Sequence, residues 1–266
     1  MSADKESTQP LNCRIEKWLE QQGYPLEMQA ASALRKCGLW VRQSTHYIDE
    51  ESGKSREIDV LAIEQEHLGM AEIYFVIECK TSNKPWILFT SAHALDNYNR
   101  LFALGLFSSR GREAISNRWD EAEASLKWLK KDMRNGYNLT AAFTNGEDSA
   151  FGAAASVVKA CSFLLRKAEN GPTKLIFTFP AIILSSPLFE CYLDDQGKVR
   201  VSEIDQGWLF FDARIAKFHG TCIRIVSQAA LEQFAADVDE MKMSLRKLIE
   251  PDVQKEWKTF ESGLKK

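Results

Sequence analysis

Two strand-like runs, Arg56-Glu57-Ile58-Asp59-Val60-Leu61-Ala62-Ile63 and Tyr74-Phe75-Val76-Ile77-Glu78-Cys79-Lys80, carry ionised side chains among apolar ones. Unpaired charge is expensive to bury, so a chain that keeps it in such places has a use for it. Successive side chains of a strand alternate faces, which sets Glu78 and Lys80 on one face, roughly 7 Å apart, and Cys79 on the other. With Asp59 arriving from a neighbouring strand, the result is an oxygen-rich pocket of the kind Mg²⁺ prefers, beside an ammonium able to act on a nucleophile or a phosphate. The pattern predicts metal-dependent phosphodiester cleavage.

The surrounding chain supports a fold large enough to hold such a site. Its 266 residues are 45% hydrophobic, enough for one large domain or for a core carrying a substantial insertion. No apolar run approaches the roughly 20 residues that span a bilayer, and the polar start Met1-Ser2-Ala3-Asp4-Lys5-Glu6 has no secretory core, so the expected location is cytoplasmic and no membrane partner is expected. The six cysteines (Cys13, Cys37, Cys79, Cys161, Cys191, Cys222) show no Cys-x-x-Cys pair, and His46, His67, His93 and His219 show no ligand spacing. Reduced, mostly buried thiols are expected. A net charge of −3 and a pI near 5.9 exclude a protein that coats nucleic acid by bulk electrostatics. Basic contacts would be local: Lys84, Arg110, Arg112, Arg118, and the cluster Lys127, Lys130, Lys131 and Arg134, which reads either as a solvated helix face or as phosphate contacts.

Periodicity organises the rest. A short helix capped by Asn12 carries Ile15, Trp18 and Leu19 on one side; Gly23 and Pro25 end it and begin a second, with Leu26, Ala30, Ala33 and Cys37 on one stripe and Gly38 as its stop. Glu27 lies at the margin of that stripe, able to lean over a sheet edge. Strands are predicted near 39–48, 56–64 and 71–80, with turns at Glu51-Ser52-Gly53 and His67-Leu68-Gly69. Residues 85–146 read as a mainly helical insertion, with Trp119, Ala122, Leu126, Leu129 and Met133 on a stripe. A helix near 149–168 burying Phe151, Val158, Cys161 and Leu165 leads into a strand, Ile176 to Leu184. Further strands lie at 187–192, 198–202, 208–211 and 222–226, with a hairpin turn, not a calcium loop, at Asp194-Asp195-Gln196-Gly197. A final helix near 228–248 stops before Pro251.

Taken together, Asp59 followed by Glu78-Cys79-Lys80, with Glu27 on the helix ahead of the first strand, resembles the restriction-endonuclease-like, PD-(D/E)xK nuclease superfamily. Ile58 stands where the motif's name has Pro. The resemblance covers residues 24 to 82 best and implies an α/β fold: a mixed central sheet flanked by helices, in the order αβββαβ, as a single domain with core segments at 24–84 and 148–226. It further implies a Mg²⁺ (or Mn²⁺) site held by Glu27, Asp59, Glu78 and the carbonyl of Cys79. Lys80 would orient the attacking water, the substrate would be DNA, and the setting would be bacterial restriction or antiphage defence with a homo-oligomeric or defence-system partner. A polar residue on the later helix, Ser156 or Lys159, would assist. Thr81, Ser82, Lys84 and Trp86 follow the motif directly and could offer hydroxyls, an amine and an aromatic ring to nucleic acid, or simply form a loop packed by Trp86. The competing readings are a salt bridge at a sheet end, a non-cleaving nucleic-acid-binding subunit of the same fold, and a nuclease directed at RNA.

Overall fold

The computed structural model describes residues 10–96, 98–126, 128, 134–144, 149–215 and 218–264. Two helices, α1 (Leu11–Gln22) and α2 (Tyr24–Lys36), precede an antiparallel meander of β1 (Trp40–Ile48), β2 (Ser55–Gln65) and β3 (Ala71–Lys80). There follow β4 (Trp86–Ser91), α3 (Arg100–Leu104), β5 (Leu106–Phe107), α4 (Ser109–Ser116), α5 (Trp119–Ser125) and β6 (Asn135–Ala141). The second half of the chain runs α6 (Ser149–Leu165), α7 (Lys167–Asn170), β7 (Leu175–Leu184), β8 (Leu188–Leu193), β9 (Val199–Ile204), β10 (Gln206–Ile215), β11 (Phe218–Ser227) and α8 (Leu231–Leu264).

The described strands form one mixed sheet in the order β1-β2-β3-β7-β11-β10-β6-β4-β8-β9, with β5 paired to β7 off that path. β7 lies at the centre. It runs parallel to β3 from Ala71↔Leu175 to Lys80↔Leu184, all ten of its residues are buried, and β11 runs parallel to it on the other edge. A near-continuous apolar run is what a parallel strand covered on both faces requires. Pro180 is tolerated inside it because it falls between Thr178, which pairs with β5, and Ala181, which pairs with β11, where that edge changes partner.

Helices cover both faces. α2 and α8 pack over Phe75, Ile77, Phe177 and Phe179 through Leu34, Phe234 and Leu245. On the opposite face α6 buries Val158, Cys161 and Leu165 against Tyr74, Val76, Ile182 and Ile223. Among the described residues the one helical stretch long and apolar enough to cross a membrane is Ser149–Asn170, α6 with α7, and ten residues of α6 are buried. Lys242 of α8, itself buried, donates to the carbonyl of Cys37, placing a cation at the C-terminal end of α2.

Several expectations are corrected. Residues 85–146 are not mainly helical, because β4 and β6 pair with each other and join the common sheet; only Trp119, Ala122 and Leu126 of the expected stripe are described, and α5 ends at Ser125. The final helix does not stop before Pro251 but continues to Leu264, held past the proline by buried Val253, by Trp257 against the core, and by the Arg118–Asp252 ion pair. Packing there outweighs the lost backbone hydrogen bond. α1 has no side-chain cap from Asn12 and no buried residue; Phe151 points outward; all six cysteines are free, but among them only Cys161 and Cys222 are buried.

Leu88 on β4 sits in a socket made by two glycines. A Cβ at Gly136 would lie 2.4 Å from Leu88 Cδ1, and one at Gly207 would lie 2.5 Å from Leu88 Cδ2. Leu88 is fully buried and cannot swing away. Gly136→Ala is therefore expected to destabilise by about 1–3 kcal/mol, measured by urea unfolding.

Candidate metal centre

The site forms where β2 and β3 part. Their ladder runs from Gln65↔Glu72 to Val60↔Ile77, and past Val60 the amide of Cys79 donates instead to the carboxylate of Asp59, at 2.7 Å. β3 stays straight there because β7 keeps pairing with it as far as Lys80. The alternation of β3 then puts Glu78 and Lys80 on the side of Tyr74 and Val76, with Cys79 turned toward the α2–α8 layer. Glu78 is 8% exposed and receives the Lys80 ammonium at 2.6 Å. Two serines steady the following turn: the Ser185 amide donates to the Lys80 carbonyl, and the Ser82 amide donates to Ser185 Oγ.

Glu27 approaches from the first turn of α2. Gly23, in the left-handed region at φ 85°, lets the α1–α2 corner close on Thr81, where a Cβ would meet Thr81 Oγ1 at 2.9 Å. That contact sets the N-terminus of α2 against the end of β3. Glu27 lies within electrostatic reach of the site: burial raises its carboxyl above the ordinary range, the charges of Glu57 and Glu78 raise it further, and Lys80 opposes. Asp59 is pushed up to about 7, first by burial, then by Glu78, with Glu27 adding; the Cys79 amide and Lys80 hold it down only in part. Burial disfavours the charge on Lys80, yet Glu78 and Asp59 keep its ammonium above the usual value. The Cys79 thiol is driven well up by burial and then by the surrounding carboxylates, so it is no thiolate ligand. One cation among several carboxylates leaves a surplus of negative charge.

The donor set is hard oxygen: the carboxylates of Asp59, Glu78 and Glu27, with the Cys79 carbonyl adjacent. Such donors fit Mg²⁺ or Mn²⁺. In this arrangement, however, no three His, Cys, Asp or Glu side chains among the described residues are drawn together as a cage. Lys80 occupies Glu78, and Cys79 occupies Asp59.

The remaining candidates fall elsewhere. Trp86 is 2% exposed and packs in the α6-side core, so it presents no ring to a base. Lys84 is exposed but donates to the Phe143 carbonyl at 2.7 Å. Lys127, Lys130 and Lys131 lie outside the described residues. Lys159 pairs with Asp49 at 3.2 Å and Glu51 at 2.7 Å, tying α6 to the β1–β2 turn, and the Ser156 carbonyl accepts from Tyr47 Oη. Neither bond joins α6 to the carboxylates. Arg110 and Arg118 pair with Glu256 and Asp252 of α8, and Arg134 with Glu190. Glu57 shares the face of Asp59 but is further from the strand centre, which favours an Arg56 or surface role; Arg56 faces Asp49, and Glu57 bears on Glu27 more strongly than Glu78 does. The signal was present, since Glu57 shares the two-residue period of Asp59. Ser185 had none, because its contact depends on the β3–β7 pairing.

The raised value of Asp59 fixes a sign. A carboxyl whose folded-state value exceeds its unfolded one favours the folded protein when protonated, so its penalty is fully present above about pH 7 and fades as pH falls toward the ordinary carboxyl range. In chelator, the melting temperature of Asp59→Asn minus that of wild type is expected to be positive at pH 8 and to shrink toward zero by pH 5.

Comparison with protein-family models, with curated proteins and with solved structures gives no match to this chain.

Proposed function

We propose that this chain is a Mg²⁺-dependent nuclease that hydrolyses DNA phosphodiester bonds, built on a restriction-endonuclease-like core. The observation that carries the reading is the placement of Asp59 beside the Glu78–Lys80 pair where β2 and β3 part, with Glu27 within electrostatic reach and a negative surplus that Lys80 does not cancel. The succession α2, β1, β2, β3, α6, β7, with β7 parallel to β3, supports the core assignment.

Glu27, Asp59, Glu78 and the Cys79 carbonyl would hold the cation, directly or through water. When bound, it neutralises charge on the scissile phosphate and lowers the pKa of a water. Lys80, anchored on Glu78, would orient the attacking water and donate toward charge that develops on the phosphoryl oxygens. Burial of Glu78 keeps the dielectric low and the Lys80 interaction strong. A restriction or antiphage role, and a partner in it, belong to the same proposal through resemblance alone.

The test is nicking of supercoiled plasmid, single-stranded DNA and RNA in Mg²⁺, Mn²⁺, Ca²⁺ and chelator. Cleavage of DNA in Mg²⁺ and Mn²⁺ is expected, with Ca²⁺ supporting binding but little turnover. Cleavage undiminished in chelator would overturn the reading.

A further inference from the structure

A cavity of about 440 Å³ opens between β6, β10 and the start of α6. Its walls are aromatic: Tyr98, Tyr137, Phe151, Phe210 and Phe211. Tyr137 is 59% and Phe151 56% exposed, an unusual outlay of ring surface on neighbouring elements. Alanines keep it open, because α6 contributes Ala150 and Ala154 where larger residues would fill the space. Asp212 stands at the rim, accepting from Tyr98 Oη at 2.5 Å, and a carboxylate accepts more bonds than that one. Among the described lining residues none is Lys or Arg.

Those walls select a ligand. A carboxylate with no cation among the described lining residues disfavours phosphate, so the cavity suits a base rather than the backbone of a nucleic acid. Flat π-surfaces beside an acceptor suit a neutral ring that carries an amino group, as cytosine, adenine and guanine do and thymine does not. The volume accommodates one base with room for its sugar. The cavity also lies on the catalytic side of the sheet. Its lining residues Leu139, Ala154, Leu209 and Phe211 belong to the same core layer as Tyr74 and Val76, whose alternation along β3 places Glu78 and Lys80. Phe143, 85% exposed just past β6, has its carbonyl held by Lys84 of the loop that follows the motif.

We infer that this cavity takes an unpaired, amino-bearing nucleobase, so that the substrate of the proposed nuclease carries an unpaired stretch near the bond it loses. The inference rests on the nuclease reading for its role in cleavage; the binding itself does not. The experiment is fluorescence anisotropy in chelator at physiological salt, with labelled oligodeoxycytidine, oligothymidine and a blunt duplex, on wild type, Phe151→Ala and Tyr137→Ala. Both variants remove exposed rings, and circular dichroism checks that they fold. Expected are single-strand binding at least tenfold tighter than duplex, deoxycytidine about tenfold over thymidine, and about a tenfold loss in each variant. Asp212→Asn should erase the base preference while keeping much of the affinity.

Duplex bound as tightly as single strand, or variants that bind as wild type does, would overturn the inference, as would dimerisation abolished by Phe151→Ala without nucleic-acid binding. The two readings separate cleanly. Ring-dependent single-strand binding with no metal-dependent cleavage of any substrate supports the cavity and sinks the nuclease. Mg²⁺-dependent cleavage of single strands by Phe151→Ala at the wild-type rate does the opposite.

Discussion

Glu78→Ala is expected to lose Mg²⁺-dependent DNA cleavage by a factor on the order of 10³ or more, with the fold intact. Glu78 is the residue on which the site's other parts depend. It is the buried member of the Lys80 ion pair, the largest charge influence on Asp59, and a contributor to Glu27. Removing it deletes a proposed metal oxygen and frees the Lys80 ammonium from its anchor at once. The measurement is single-turnover cleavage at saturating Mg²⁺, with thermal unfolding as the control. Robust cleavage by this variant would place the chemistry elsewhere. Glu27→Gln should cost less, about tenfold to a hundredfold, since Glu27 bears on Asp59 less strongly than Glu78 does and would act through water.

The second large effect is on stability, and its sign differs between two neighbours. Lys80→Met leaves Glu78 buried without its cation and is expected to destabilise the metal-free protein by about 2 kcal/mol, below the roughly 3–5 of a fully enclosed pair because Lys80 is itself part-exposed. Asp59→Asn should do the opposite. Its amide oxygen can still accept the Cys79 N–H, while one of the repelling charges is gone, so the variant should melt at or above wild type in chelator at pH 8. Mg²⁺ should then raise the melting temperature of wild type more than that of Asp59→Asn. Thermal unfolding of the three proteins in chelator and in Mg²⁺ decides it. A markedly less stable Asp59→Asn would make Asp59 a structural partner of the Cys79 amide and nothing more.

The pairing of Glu78 with Lys80 was more legible in the sequence than the fold around it, for a physical reason. Glu78 and Lys80 are two residues apart on one strand, and strand alternation alone puts them together. The meander from Trp40 to Lys80 was equally local, being set by apolar runs and by Gly53 and Gly69 at its turns. What could not be read was non-local. β4 and β6 are strands because they pair with each other and with β8 and β10, and Trp86 is buried for the same reason. Pro251 looked like a helix stop because the packing of Val253 and Trp257 is invisible from the proline itself. Arg110 and Arg118 resembled free basic groups until α8 brought Glu256 and Asp252 to them.

The junction of β6 with β10 joins two halves of the sheet through a single ladder pair, Leu209↔Gly136, whereas β3 and β7 share ten. Among the described strands so thin a seam is the junction with the fewest paired residues, and backbone hydrogen bonds contribute least to cohesion there. The raft β1-β2-β3-β7-β11-β10 carries the carboxylates, and the raft β6-β4-β8-β9 is joined to it mainly by side-chain packing, Leu88 against Gly207 included, with α6 touching both. In hydrogen exchange the amides of β4 and β8 should then open as a group at lower free energy than those of β3 and β7. The aromatic cavity straddles that seam, with Tyr137 and Leu139 of β6 on one side and Leu209 to Asp212 of β10 on the other, so its width depends on side-chain packing rather than on a continuous ladder.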